Sequence, residues 1–264
     1  MKLVFDIGGT HLRVALADGG ELRKVKKLLT PAEPAQGIEA VRAFLVAEGA
    51  QVSEAVGAIA GIVKRGVVER TRYLPKWDGF NLAVALEDVC RIPATRLLND
   101  AEAAGIGEAL AGAGKGVRVV AYITVGTGIG GALIIDGAPV PHAVGHEPGK
   151  QILDYGQMRT FEDFAGGASL TEEFGAPPER LARALVEGRV RVLATGLYNT
   201  LRLWSPDILI LGGSLINDAT GYPLANIKHE LAALPVVLPP LPPIVRSALG
   251  DTAGLTGAAL APMD

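Results

Sequence analysis

Three glycine segments and two acidic positions are the residues of this sequence best suited to chemistry. Gly8-Gly9-Thr10 follows Asp6 at the end of an apolar run, Gly126-Thr127-Gly128 follows a second such run, and Gly212-Gly213 closes a third. Consecutive backbone N–H groups without a Cβ in the way can approach a phosphate chain closely, so each segment is a phosphate cradle by residue type. Ordinary hairpin turns use the same residues. Asp6 weighs against that plainer reading. A carboxylate at a strand end could orient a hydrated Mg²⁺ against phosphates, whereas buried there without a partner it would be costly. The third glycine pair lies where open α/β sheets bind ligands, beyond a strand's carboxyl end. Neither G-x-G-x-x-G before a helix nor a Lys-Ser/Thr P-loop is present, which excludes Rossmann and Walker sites.

The second acidic position is Asp100, within Leu98-Asn99-Asp100-Ala101-Glu102. An apolar strand delivers two polar side chains and a helix begins, which is how a rigid scaffold presents a catalytic carboxylate. Asn99 with Glu102 three residues on also reads as a capping box. The two readings are compatible, since Asn99 can cap while Asp100 faces a substrate.

The elements that must position these groups follow from periodicity and glycine punctuation. Strands are expected at 2–6, 12–17, 55–59, 95–98, 117–125, 131–135 and 207–211. Helices are expected over 37–50, 82–90, 100–110, 168–174, 178–187 and 190–203. Residues 74–81 and 142–160 read as loops, and the proline run 239–243 as a rigid linker. Apolar Ile38, Val41, Phe44, Leu45 and Val46 mark the buried stripe of the first helix. Strand-turn-strand opens the chain and recurs near residue 117, so the chain reads as two similar α/β halves, 1–113 and 114–251. A closing helix over about 252–264 is able to pack back on the first half.

Composition narrows the class. A hydrophobic fraction of 49% with 20% charged residues describes a packed protein rather than a disordered one. The formal charge of −3, without a basic patch, gives no reason to expect nucleic acid. Cys90 is the single cysteine, so neither a disulfide framework nor a cysteine zinc cage can form within the chain, and a reducing cytoplasmic setting is expected. No apolar run reaches the roughly 20 residues that cross a bilayer, and no leader is evident, so no membrane association is expected.

Taken together, these residues resemble the ROK family (repressor, open reading frame, kinase) of sugar kinases. Asp6 to Arg13 is similar to the first phosphate motif D-x-G-G-T-x-x-R. Asn99 to Ala104 is similar to N-D-A-x-A-A, in which the aspartate is the catalytic base. Thr124 to Gly131 resembles the second phosphate motif, Ile210 to Ser214 the adenosine motif, and Gly254 to Ala259 the closing Gly-Ala-Ala helix. The resemblance implies an actin-like ATPase (ribonuclease H-like) fold, with two α/β domains flanking a cleft. It implies ATP and Mg²⁺ as cofactors, a hexose or N-acetylhexosamine as substrate, and a homodimer. Donor binding falls to Asp6, Gly8, Gly9, Thr10, Arg13, Thr127, Gly128, Gly212 and Gly213, with Asp6 holding Mg²⁺ through water and Asp100 as base. Sugar binding falls to Asn81, Asn99, Asp100, Glu147, Glu162 and Lys150. Trp77 and Asn81 resemble a segment at the sugar cleft, although Trp77 also reads as core.

The sequence departs from the family pattern in its sugar loop. His146-Glu147-Pro148-Gly149-Lys150 aligns with G-E-x-G-H and puts Lys150 where the histidine belongs. Leu153, Tyr155 and Thr160 stand at cysteine positions, while Gly156 and Glu162 match. The zinc of that loop is therefore excluded on ligand count. His146 precedes Glu147 and is not read as a substitute. Lys150 is expected to pair with Asp154, Glu147 or Glu162. A sugar-binding sensor without catalysis is the rival reading, and an actin-like ATPase acting on proteins or an acyl group is a second. The same motifs serve several hexoses, and either ATP or polyphosphate as donor.

Overall fold

The computed structural model describes residues 1–234 and 240–263, which form two compact units. The first unit holds residues 1–111, 143–145 and the carboxy-terminal segment from Asp251. The second holds 112–142 and 146–250. Of the expected proline linker, Pro239 lies outside the described residues; Pro243 accepts a hydrogen bond from the Leu209 N–H at 2.9 Å. Among the described residues no helix is long and apolar enough to cross a membrane.

The first unit opens with β1 (Lys2–Ile7), β2 (His11–Asp18) and β3 (Glu21–Leu29), then α1 (Pro34–Ala47), β4 (Glu54–Ile59), β5 (Ile62–Lys64), β6 (Val67–Arg70), β7 (Phe80–Asn81), α2 (Leu82–Cys90), β8 (Ala94–Asn99) and α3 (Asp100–Leu110). Its main sheet runs β3-β2-β1-β4-β8, with an antiparallel meander on one side and β1, β4 and β8 parallel. The core gathers alternate strand residues such as Leu3, Phe5 and Ile7 with Ile38, Val41, Phe44 and Leu45 of α1. Val46, one residue off that stripe, is exposed instead. Trp77 is fully buried, its indole N–H donating to the Pro31 carbonyl at 3.1 Å, so it is a core residue rather than a surface group.

The last helix of the chain (Ala253–Leu260) belongs to this unit and lies along α3. The crossing is close enough to require glycine: a Cβ on Gly257 would come within 1.6 Å of the Ala103 carbonyl oxygen.

The second unit repeats the strand plan. β9 (Val119–Val125) and β10 (Ile129–Ile135) form a hairpin extended by β11 (Ala138–Pro139). The chain then forms β12 (Ile152–Asp154), β13 (Arg159–Thr160), α4 (Phe161–Ala165), α5 (Gly167–Phe174), α6 (Arg183–Glu187), α7 (Val190–Trp204), β14 (Ile208–Gly212), α8 (Leu224–Ala233) and β15 (Ile244–Arg246). The sheet order β11-β10-β9-β14-β15, with β9, β14 and β15 parallel, has the same pattern of antiparallel and parallel pairs as the first.

Several elements differ from the sequence expectation. The expected loop 142–160 contains a 3₁₀ turn (Pro148–Lys150) and the β12–β13 hairpin. The expected helix 178–187 is broken, because Leu181 packs against the core in an extended conformation between a proline-led turn and α6. Strand β3, the small β5-β6-β7 sheet, α4, α8 and β15 were not foreseen from periodicity.

A Gly257→Ala substitution tests the helix crossing. Overpacking at so tight a contact is expected to cost about 3 kcal/mol or more and to lower the melting temperature by roughly 5–10 °C, read by circular dichroism. An unchanged melting temperature would show that the two helices separate freely.

Candidate active site

In the first unit, sheet register sets the site. Ile7, Ile59 and Asn99 end β1, β4 and β8 at one level, so the turn after β1 and the start of α3 emerge from the same carboxyl edge. Asp6 stands one residue before the end of β1, and Asp100 is the first residue of α3. With β4 between their strands, the two backbones stand roughly 10 Å apart at ordinary strand spacing, which leaves room for a phosphoryl group.

The turn at 8–10 is braced from below. The Gly8 N–H donates to the His11 carbonyl at 2.9 Å, the Thr30 hydroxyl donates to the Gly8 carbonyl at 2.6 Å, and the Thr30 N–H donates to the Thr10 carbonyl at 3.0 Å. Gly9 and Thr10 remain exposed. Arg13, on the same hairpin, reaches Asp6 at 3.4 Å and Asp251 at 3.1 Å, and Lys27 reaches the same Asp251 oxygen at 3.1 Å. Asp251 was not singled out from the sequence, where it is one aspartate in a glycine-bounded turn.

Burial pushes the Asp6 carboxyl up to about 6; the Arg13 charge opposes this, the Asp251 charge adds to it, and the Arg13 hydrogen bond opposes it again. A desolvated carboxylate whose nearest cation is 3.4 Å away is short of positive charge. That is the chemistry a hydrated Mg²⁺ would satisfy, so Asp6 fits the role of holding one. Among the described residues no three His, Cys, Asp or Glu side chains cluster to hold a metal ion directly.

Asn99 forms the capping box. Its side-chain oxygen accepts from the Ala101 and Glu102 N–H groups at 2.9 and 3.4 Å, and Glu102 accepts from the Asn99 N–H at 3.3 Å. Its amide nitrogen also donates to the Gly61 carbonyl at 3.0 Å, tying the end of β8 to the segment after β4. These bonds fix the first turn of α3, and with it half-buried Asp100. Asn81 is not drawn to this edge by any such bond. It is exposed and caps α2, accepting from the Val84 N–H at 3.1 Å.

In the second unit, the turns at 126–128 and 212–214 share one edge, since Gly212 pairs with Thr124. Gly213 has φ +92°, and a Cβ there would sit 2.4 Å from the Val125 carbonyl oxygen, so only glycine fits. The start of α5 closes over the first of these turns: the Gly167 and Ala168 N–H groups donate to the Gly126 and Thr127 carbonyls, both at 2.8 Å.

The sugar-loop residues assemble beside that turn. Glu162, in α4, is buried; it accepts from the N–H of Ile129, the residue after Gly128, at 3.2 Å and pairs with Lys150. Of the three carboxylates expected to partner Lys150, the structure selects Glu162. Glu147 is at the surface, and its carboxyl lies above the ordinary range through desolvation, with Lys150 opposing and Glu162 adding. Thr160, at one cysteine position, caps α4 in a second capping box with Asp163. Tyr155 is exposed, and Leu153 packs on the core. His146 lies edge-on to His142 and Trp204, with ring centroids 5.5 and 5.1 Å apart.

Paired α/β units with glycine turns at the carboxyl edges of matching sheets define an architecture, and comparison with known proteins gives its family. The model of the ROK family matches residues 3–149. The chain is 30% identical to polyphosphate glucokinase from Mycobacterium tuberculosis over 97% of its own length and 89% of that protein's. It is 29% identical to glucokinase from Streptomyces coelicolor over 96% of this chain and 95% of that one. A ROK family glucokinase from Streptomyces griseus, solved in complex with glucose and AMPPNP, superposes with a TM-score of 0.77 at 25% identity, covering 98% and 97% of the two chains. The chain belongs to the ROK family and has the actin-like ATPase fold.

The raised Asp6 carboxyl has a consequence for stability. A group that holds its proton more tightly when folded stabilises most below its unfolded value near 3.8, and that contribution is lost as pH rises through about 6. At pH 8 the ionised group therefore costs up to about 3 kcal/mol. Asp6→Asn in EDTA should melt higher than the parent at pH 8, and the gap should close towards pH 4. A variant less stable than the parent at pH 8 would contradict the desolvated site.

Proposed function

We propose that this protein is a sugar kinase that transfers the terminal phosphoryl group of ATP to a hydroxyl of a hexose or N-acetylhexosamine. The observation that carries the reading is the shared carboxyl edge of β1, β4 and β8, where register brings Asp6, the 8–10 turn and Asp100 to one level. Phosphoryl transfer asks for an aligned hydroxyl, neutralised charge and a proton acceptor, and little covalent chemistry from the protein.

In this reading Asp100 accepts the proton of the attacking hydroxyl, held in place by the Asn99 cap. Gly8, Gly9, Thr10 and Arg13 are the phosphate-binding groups of the first unit, and Thr127, Gly128, Gly212 and Gly213 those of the second, with the glycine turns acting through backbone N–H groups. Asp6 would hold Mg²⁺ through water, and that ion, when bound, neutralises phosphate charge. In the second unit Glu147, Glu162 and Lys150 read the sugar's hydroxyl pattern, while Asn81 is left as the cap of α2. Lys150 also neutralises Glu162, so that a carboxylate buried beside the phosphate turn does not repel the donor. The similarity to proteins named glucokinase, one of them solved with glucose and AMPPNP, supports glucose as the first sugar to try. The similarity to polyphosphate glucokinase makes inorganic polyphosphate the second donor. A homodimer in a reducing cytoplasm completes the proposal.

A coupled assay across glucose, mannose, fructose, N-acetylglucosamine and N-acetylmannosamine, with ATP and with polyphosphate, tests it. Turnover of at least one sugar is expected, lost in EDTA and restored by Mg²⁺, and indifferent to a zinc-selective chelator. Sugar binding without turnover on either donor would replace the kinase with a sensor.

A further inference from the structure

We propose that Gln151 is the positioning residue of the sugar loop: its side-chain amide sets where Glu147, Lys150 and Glu162 stand, and so governs sugar affinity without touching the sugar. The inference rests on the sugar-kinase reading. It starts from the sparse regular structure between β11 and β12, where a single 3₁₀ turn, Pro148–Lys150, orders the segment that carries Glu147 and Lys150. Such a segment needs side-chain anchors, because its backbone has few ladder partners.

Gln151 supplies them in three directions. Its amide nitrogen donates to the Pro148 carbonyl at 3.0 Å, closing the 3₁₀ turn on itself. The same nitrogen reaches the Gly196 carbonyl at 3.1 Å and the Thr200 hydroxyl at 3.2 Å, one turn apart on α7. Thr200 donates its own proton to Gly196 at 2.9 Å, so the helix presents a paired acceptor. The amide oxygen of Gln151 accepts from the Asn199 side chain at 3.1 Å. Finally, its backbone carbonyl accepts from the Phe161 N–H at 2.8 Å, which ties down the start of α4, where Glu162 follows.

Both arms of the loop therefore meet at one residue. Glu147 and Lys150 lie just before it, and Glu162 lies one residue beyond the backbone it holds. Two amide hydrogens serve three oxygens on α7 and the 3₁₀ turn, and an apolar side chain of the same length could serve none. Cysteine is absent from positions 153, 155 and 160, so no metal brace of thiolates is available to this loop. The hydrogen-bonded amide fastens the 3₁₀ turn to α7, while the His146–Trp204 ring contact and Leu153 hold the loop on either side of it.

The test compares the parent with Gln151→Leu and with the milder Asn199→Ala, which removes only the bond to the amide oxygen. Sugar KM is expected to rise on the order of tenfold in Gln151→Leu and less in Asn199→Ala, with donor KM and kcat within about threefold of the parent. Hydrogen exchange of a peptide spanning 146–162 should quicken in both variants while the β9–β10 peptide keeps its protection. Unchanged sugar KM with unchanged loop protection would overturn the proposal. So would a parallel loss in sugar KM, donor KM and kcat, which would mark a general structural role. If the parent phosphorylates no sugar, the kinase reading fails separately; the proposal is then decided by calorimetric glucose binding together with loop exchange, and both must weaken in Gln151→Leu.

Discussion

Each unit depends on one constraint: parallel strands must end in register, so that the backbone beyond them emerges at a single edge. Hydrogen-bonded ladders set that register, and a slip of one residue would turn every core side chain to the opposite face. In the first unit the levelled ends of β1, β4 and β8 place a half-buried carboxylate, a glycine turn and a capped helix start side by side. In the second unit the matched ends of β9 and β14 do the same for two glycine turns. Apolar burial drives the sheets together, and the polar groups are carried to the edge as a consequence.

What surrounds each edge is bracing. Thr30 holds the carbonyls of the first turn, leaving its exposed outer side to a ligand. In the second unit the Ile129 N–H links the turn at 126–128 to Glu162, and Glu162 links to Lys150. The phosphate turn and the sugar loop thus share one buried carboxylate as a bracing partner. Asp6 is the counterexample, a carboxylate that burial keeps short of compensating charge. Groups of this kind mark functional sites because stability by itself would not place them there.

Much of this was legible in the sequence where the signal was local. α2 and α3 fall on the expected residues, and the Asn99–Glu102 capping box forms as its spacing requires. The glycine turns were visible because glycine next to an apolar run has few other uses. What escaped had no local signature. β3, reading Glu-Leu-Arg-Lys-Val-Lys-Lys-Leu-Leu, is an edge strand whose charges hide the alternation and protect the edge. The β5-β6-β7 sheet is built from strands of two to four residues, too short for a period to register. Gln151 finds its partners some 45 to 49 positions away, and Asp251 reaches Arg13 across 238. No periodicity reports contacts of that span. Lys150 was expected to meet one of three carboxylates, and only packing could choose Glu162.

The claim on which the functional account turns is that Asp100 takes a proton, beyond standing in the first turn of a capped helix. Asp100→Asn keeps the shape and the helix start while removing the acceptor. The most direct measurement pairs steady-state turnover of this variant with calorimetric binding of sugar and nucleotide. The account predicts that kcat falls roughly 10²- to 10⁴-fold while both dissociation constants stay within about threefold of the parent. Turnover within about a factor of two of the parent would reduce Asp100 to a helix residue and contradict the mechanism.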